Sequence, residues 1–574
     1  MWKLLTYLKE YKKESVLGPL FKLLEASFEL MVPLVVAAMI DTGIENKDTK
    51  YVMLMGGLLL LLAIVGLTAS LTAQYFAAKA AVGFSTKLKH ALFAHIESLS
   101  YAELDRLGTT SLITRMTSDV NQVQSGVNLV LRLFLRSPFV VFGAMIMAFT
   151  IDVKAAMIFV VTIPLLSIVV FGVMLISIPL YKKVQAGLDR VLGITRENLT
   201  GVRVIRAFGK EEEETEKFEE ANLTLNRVQM FVGRFSALMN PLTYVIVNGA
   251  LIVLIWTGAM QVEAGILTQG AVVALVNYMS QILVELVKLA NLIITVTKAI
   301  ACGNRIQDVF EVKSSLKDAK TTRVECRKEQ DFIVFDKVGL VYPEASEESL
   351  TNISFSVNRG DVIGVIGGTG SGKSSLVNLI PRFYDLTSGK IRIEGEEIQN
   401  YPLAQLRDKF GIVPQKAVLF HGTIRSNMQW GKKDATDEEI WEALETAQAA
   451  EFVRKKEGGL DALVEQGGKN FSGGQRQRLT IARALVKKPE ILIMDDSASA
   501  LDYATDAALR QEIREKLAGT TVFIVSQRAA SILHASQILV LDDGELVGKG
   551  THETLLGSCD VYREIYESQF GKEN

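Results

Sequence analysis

The stretch Gly367–Ser374 reads GGTGSGKS and fits G-x-x-x-x-G-K-[ST], a phosphate-cradling loop. The apolar run Val362–Ile366 precedes it, and Ser375–Ile380 is expected to continue as a helix. Strand, glycine-rich turn and helix is the context that motif needs. The glycines let backbone N–H groups close around phosphate oxygens, and the helix N-terminus adds the positive end of its dipole. Gly367, Gly368, Thr369, Gly370, Ser371 and Gly372 make the turn, and Ser375 follows it. Lys373 would reach the β- and γ-phosphates of a nucleotide, and Ser374 would ligate Mg²⁺. Taken alone, the pattern is also compatible with a chance Gly-rich turn, so its surroundings decide.

Short β-type runs flank the loop: Phe332–Phe335, Ile353–Val357 and Ile391–Ile393. Tyr342 lies 25 residues before Gly367 in a short loop, where a flat ring could stack on adenine. A half-buried tyrosine at a strand end is the plainer alternative. Gln415 sits in Val-Pro-Gln after a strand-like run, where its amide could reach Mg²⁺ and an attacking water. Phe471–Gln475 reads FSGGQ, followed by an expected helix over Arg476–Leu485. A Ser-Gly-Gly turn at a helix start (Ser472, Gly473, Gly474, with Gln475) is a second anion site. Ile491–Met494 is an expected buried strand ending in Asp495, suited to holding Mg²⁺ through water, and Ser499-Ala500-Leu501-Asp502 follows. Each element is weak alone; their order and spacing carry the argument.

Towards the N-terminus the composition changes. Six segments are long and apolar enough for a bilayer, which needs about 20 residues: approximately Val16–Ile40, Val52–Phe76, Leu129–Phe149, Ala155–Ile178, Leu238–Met260 and Ala271–Ile294. Loops after the second and fourth are long and basic, and the others are short with few Lys or Arg. By the positive-inside rule, the N-terminus, both long loops and the C-terminal part are expected in the cytoplasm. Both long loops look helical throughout, with tips at Leu99–Leu107 and about Glu197–Ala207. Apolar residues at the tips (Tyr101, Leu104, Val202, Val204, Ile205) suggest docking onto another domain. Met1–Ser15 is charged and amphipathic, without a signal-peptide core, and reads as a helix on the membrane surface.

Charges inside the spans are unusual. Lys22, Glu25 and Glu29 fall in the first, and Glu285 and Lys288 in the sixth. Intramembrane ionisable groups are costly and usually face a bundle interior or a watery cavity. Glu25 and Glu29 share a helical face, and Lys22 can pair with Glu25. The reading is either a polar substrate cavity or paired charges locking helices together.

At 574 residues the chain exceeds one ordinary domain, and a net charge of −2 gives no sign of nucleic acid. Cys302, Cys326 and Cys559 show no metal-ligand spacing and read as free thiols. The expected domains are a transmembrane domain over 1–305, a charged linker over 306–330 and a nucleotide-binding domain over 331–574.

With these elements in place, residues 331–574 resemble an ATP-binding-cassette (ABC) ATPase domain. The whole chain resembles one half of a bacterial ABC exporter. That fold is an α-helical six-span transmembrane domain with long cytoplasmic helical extensions, fused to an α/β P-loop ABC ATPase domain. ENLTGVRVIRAFGKE (Glu197–Glu211) is similar to the second cytoplasmic loop of such exporters, whose tip docks on the partner's ATPase domain. The resemblance implies ATP and Mg²⁺ as cofactors, a second exporter half as partner, and a multi-pass protein of the bacterial cytoplasmic membrane. It implies two ATP sites, each built from the phosphate loop of one half and the Ser-Gly-Gly-Gln signature of the other.

Two residues depart from the family pattern. After the Mg²⁺ aspartate the family has Glu, which polarises the attacking water; here it is Asp496. One methylene fewer pulls the carboxylate back by about 1–1.5 Å, and errors near 1 Å can cost about 100-fold in rate. The switch histidine expected after Val522–Val525 is Gln527, an amide that hydrogen-bonds but cannot become an imidazolium. Both changes beside an intact phosphate loop suggest the degenerate member of a heterodimeric exporter of hydrophobic compounds. A lipid or peptide exporter subunit and a nucleotide-sensing regulatory membrane subunit are the alternatives.

Overall fold

The computed structural model describes residues 2–319, 331–342, 345–497 and 500–571. The expected linker stretch 320–330, with Cys326, and Ser499 of the Ser-Ala-Leu-Asp run lie outside the described residues. The chain divides into two compact units: Met1–Glu97 with Thr110–Val312, and Ser98–Thr109 with Lys313–Asn574.

The first unit is helical. Six helices are long and apolar enough to cross a membrane: Lys3–Ile44, Thr49–Glu97, Thr109–Ile151, Val153–Thr200, Glu211–Glu263 and Gln269–Glu311. With 42 to 53 residues each, they are about twice as long as a bilayer requires. Their closest packing uses small residues. Ala69, Ala73 and Ala77 recur every fourth residue and are fully or almost fully buried, and a Cβ on Gly18 would stand 3.4 Å from the Ala77 nitrogen. Such small-residue stripes let helix backbones approach closely where lipid supplies no hydrophobic drive. Polar side chains close the short connections. Asp152 caps Val153–Thr200 by accepting from the Ala155 N–H at 2.7 Å, and Asp41 accepts from the Gly270 N–H at 2.6 Å.

The N-terminal segment expected as a helix over Met1–Ser15 is helical with other bounds. It is a 3₁₀ helix over Trp2–Tyr11, and Lys12–Ser15 already belong to the first spanning helix, Lys12–Ala38. Leu4 is buried, so this run packs on the helices. The expected Lys22–Glu25 pair forms, and Ser70 accepts a second bond from Lys22.

The second unit holds a six-stranded sheet in the order Glu545–Gly550, Gln537–Asp542, Val362–Gly367, Thr521–Val525, Ile491–Asp495, Phe410–Val413. All neighbours are parallel except the first pair, a hairpin turned at Asp543-Gly544. The central strands are continuous apolar runs because both faces are covered. An antiparallel sheet orders Leu350–Val357, Ile333–Leu340, Ser388–Ile393 and Glu396–Glu397. Phe335 lies opposite Phe355 in it, rings stacked at 4.3 Å.

The two short helices expected at the loop tips are Tyr101–Leu107 and Val202–Ala207. The first belongs to the second unit, where the Tyr101 ring lies 4.7 Å from that of Phe383. Val204 of the second, and Phe208 immediately after it, are exposed.

Candidate functional site

Register places the site. Val525 pairs with both Val365 and Asp495, and Val413 pairs with Met494. The C-terminal ends of four parallel strands therefore meet at one edge, the usual ligand crevice of an open α/β sheet. Each strand delivers its next residues there: the glycine loop after Ile366, Gln415 two beyond Val413, Asp495 and Asp496, and Gln527 two beyond Val525.

These groups line one cavity of about 610 Å³, which includes Thr369, Gly370, Gly372, Lys373, Ser374 and Ser375. Ser374 donates to Asp495 Oδ1 at 3.0 Å, and Gln415 Nε2 approaches Asp496 Oδ2 at 3.4 Å. The Lys373 ammonium donates to the carbonyls of Gly367 and Gly368 at 3.0 and 2.5 Å, and Ser371 Oγ is 3.4 Å away. Gly372 is one residue the turn cannot replace. Its φ is +91°, and a Cβ there would lie 2.7 Å from the Ser349 carbonyl oxygen. It stands immediately before the helix Lys373–Leu379.

The electrostatics fit a phosphate with a hard cation. Burial pushes the Asp495 carboxyl above its ordinary value, Asp496 beside it adds to this, and Ser374 and Lys373 oppose it. Burial likewise lowers Lys373, against the two aspartates. Oxygen donors Ser374, Gln415 and Asp495 match what Mg²⁺ takes, and Mg²⁺ is typically held by one or two carboxylates plus substrate phosphates. Among the described residues no cluster of three or more His, Cys, Asp or Glu forms a metal cage.

Two groups of expected residues stand elsewhere. Tyr342 is not among the lining residues. Its hydroxyl donates to Ser375 Oγ at 3.0 Å, and its ring meets Tyr384 edge-on at 5.0 Å. Ser472, Gly473, Gly474 and Gln475 are also absent from the cavity. They start the helix Gly473–Leu485 through a capping box: the Gln475 N–H donates to Ser472 Oγ at 3.3 Å, and the Ser472 N–H to Gln475 Oε1 at 3.0 Å. A Cβ on Gly474 would meet the Ala500 carbonyl oxygen at 3.1 Å.

The sequence reading passed over Ser349, Ser526, Asp543 and Gly544, which also line the cavity, as do residues 345–348. Asp543-Gly544 was legible only as a hairpin turn; nothing in its spacing pointed to the crevice.

The comparisons agree with this geometry. The family model of the ABC transporter transmembrane region matches residues 15–286, and the model described as ABC transporter matches residues 350–499. The chain is 37% identical to YfiB of Bacillus subtilis, an uncharacterized ABC transporter ATP-binding protein, over 100% of this chain and 99% of that one. It is 32% identical to YgaD of the same organism, a putative multidrug export ATP-binding/permease protein, over 99% of each. A bacterial Atm1-family ABC exporter solved with ATP bound shares the fold with a TM-score of 0.81 at 23% identity, covering 98% of this chain and all of that one. Six membrane-length helices and an ATP-binding crevice on one polypeptide, matched end to end by such relatives, make this chain a multi-pass member of the ABC transporter family, of the exporter type, whose ATPase domain couples hydrolysis to transport.

Proposed function

We propose that the chain is the degenerate-site half of a heterodimeric exporter that moves hydrophobic compounds out of the bacterial cytoplasm or inner leaflet. It would lie in the cytoplasmic membrane with both termini inside. The observation that carries this is the pair Asp496 and Gln527. Both line the same cavity as Lys373, Ser374, Gln415 and Asp495; in this reading the two changes weaken water activation while the residues that grip nucleotide are kept. The multidrug name of YgaD favours a drug-like substrate.

In this reading Lys373 and the glycine loop grip the phosphates, while Ser374, Gln415 and Asp495 would hold Mg²⁺, which would supply charge neutralisation there. Tyr342 faces the adenine end. Asp496 places its carboxylate short of an attacking water, and Gln527 hydrogen-bonds the γ-phosphate without supplying a proton. Ser472, Gly473, Gly474 and Gln475 instead complete the partner's site. Transition-state donors of that kind are worth about 100- to 1000-fold when removed.

The test is steady-state ATPase of the purified heterodimer. Ser472→Ala should nearly abolish hydrolysis, and Asp496→Asn should leave most of it. Equal damage from both overturns the assignment.

A further inference from the structure

A chain of four alternating charges crosses the membrane unit. Arg136 donates to Glu29 at 2.6 Å and to Glu285 at 2.5 Å, and Lys288 donates to Glu285 at 2.7 Å. Ser137 adds a bond to Glu285 at 2.9 Å. The inner members are sealed, with side chains 5% (Arg136) and 3% (Glu285) exposed; the outer members are open, at 39% (Glu29) and 41% (Lys288). A lock between helices needs only the sealed pair.

Both open ends face one cavity of about 410 Å³ between Lys12–Ala38 and Gln269–Glu311, together with Glu285, Asn277 and Gln281. The Gln281 Oε1 is buried without a hydrogen-bond partner. Val32, Pro33 and Val284 supply an apolar wall. Glu25 is not among the lining residues; Lys22 holds it.

The formal charges of Glu29, Arg136, Glu285 and Lys288 sum to zero. A singly charged ligand would leave the cluster with a net charge at a depth where net charge is expensive. A dipolar head would not. Arg136 takes one oxygen of Glu29, and a carboxylate has acceptor capacity to spare; the Lys288 ammonium has three donors.

We propose that this cavity binds an amphiphile with a zwitterionic head, its ammonium on Glu29 and the Gln281 carbonyl and its acidic group on Lys288, with the tail along the valine wall. The proposal rests on the exporter reading and names its substrate class. Two sources share this chemistry: a phosphoethanolamine-type lipid head, and an apolar peptide with free ends.

The experiment is equilibrium binding to the full-length chain in its assembled transporter, in phosphatidylglycerol nanodiscs without nucleotide. Four probes are compared: lysophosphatidylethanolamine, trileucine, dodecylamine and dodecyl phosphate. One zwitterion should bind at least about tenfold tighter than either singly charged amphiphile, and which one binds separates lipid from peptide. Glu29→Gln and Lys288→Met should each weaken it by about tenfold or more. Retained ATP binding shows that the variants are folded, and the wild-type probe series stands without them. Equal binding of dodecylamine or dodecyl phosphate, no binding of either zwitterion, or folded variants of unchanged affinity overturns the proposal. Because no ATP is turned over, these results are independent of the degenerate-site assignment.

Discussion

Tyr384 donates its hydroxyl to Asp105 Oδ2 at 2.6 Å, joining the helix Tyr101–Leu107 to the nucleotide domain. Burial, and then the bond to Asp105, hold this phenol far above its ordinary range, so it stays a neutral donor at any physiological pH. On its other side Tyr384 meets Tyr342, which donates to Ser375 in the cavity wall. Three side chains thus connect a loop tip, continuous in sequence with Thr49–Glu97, to the phosphate loop. Tyr384→Phe keeps the ring and removes the bond. ATP affinity and basal ATPase should hold, while substrate-stimulated ATPase falls by about tenfold or more, the worth of one bond to a charged group. An unchanged ratio of stimulated to basal rate in reconstituted transporter would remove this contact from the coupling path.

The isolated chain should bind ATP and turn it over feebly, because both sites of a homodimer would carry Asp496 and Gln527. Lys373→Ala should abolish the binding. Asp496 also sits at φ +44°, a left-handed conformation that Asp tolerates better than bulkier residues. Asp496→Glu alone should therefore give little rate and a slightly less stable domain. The double change Asp496→Glu with Gln527→His should raise turnover by about 100-fold, the cost assigned to mispositioning. Phosphate release by the purified chain measures all three, and fast turnover by the unmodified chain refutes the degenerate site.

Ser472 has two jobs that a pair of variants separates. As N-cap it stabilises its helix, and an alanine there costs about 0.5–2 kcal/mol. Ser472→Ala should lower both the unfolding temperature and the ATPase of the heterodimer. Ser472→Asn keeps a good cap and should preserve the unfolding temperature while still impairing hydrolysis. Hydrolysis unaffected by Asn would reduce the residue to its capping role.

Topology follows from the charge of the long loops. Single cysteines placed between 181 and 235 should be shielded from an impermeant thiol reagent added to intact cells, and labelled after permeabilisation. Outside labelling of that stretch would invert the orientation.

The parts legible in the sequence were those whose logic is local. The phosphate loop, the capped Ser-Gly-Gly-Gln turn and the strand ending in Asp495 each declare themselves within about ten residues, because strand, turn and helix signals are short-range. The six spans were legible because a bilayer imposes length on its crossing helices. Arg136 was not, since its carboxylates lie 107 and 149 residues away and no periodicity connects them. Glu25 and Glu29 were read as sharing one helical face, with Lys22 pairing with Glu25, and that local pair forms; the cavity onto which Glu29 opens was not legible. The Tyr384–Asp105 bond spans 279 positions and was equally invisible. Tertiary hydrogen bonds between distant segments leave no pattern in a single chain.

The helix Thr49–Glu97 has 49 residues and no internal proline, which makes it a rod about 70 Å long. Hinged at one end, a rod of that length swept through roughly 5° carries its far tip about 6 Å, more than one helical turn of 5.4 Å. Thr49–Glu97 is therefore geared: an angular adjustment too small to break any side-chain packing near Thr49 becomes, at Glu97, a stroke large enough to exchange one set of neighbours for another.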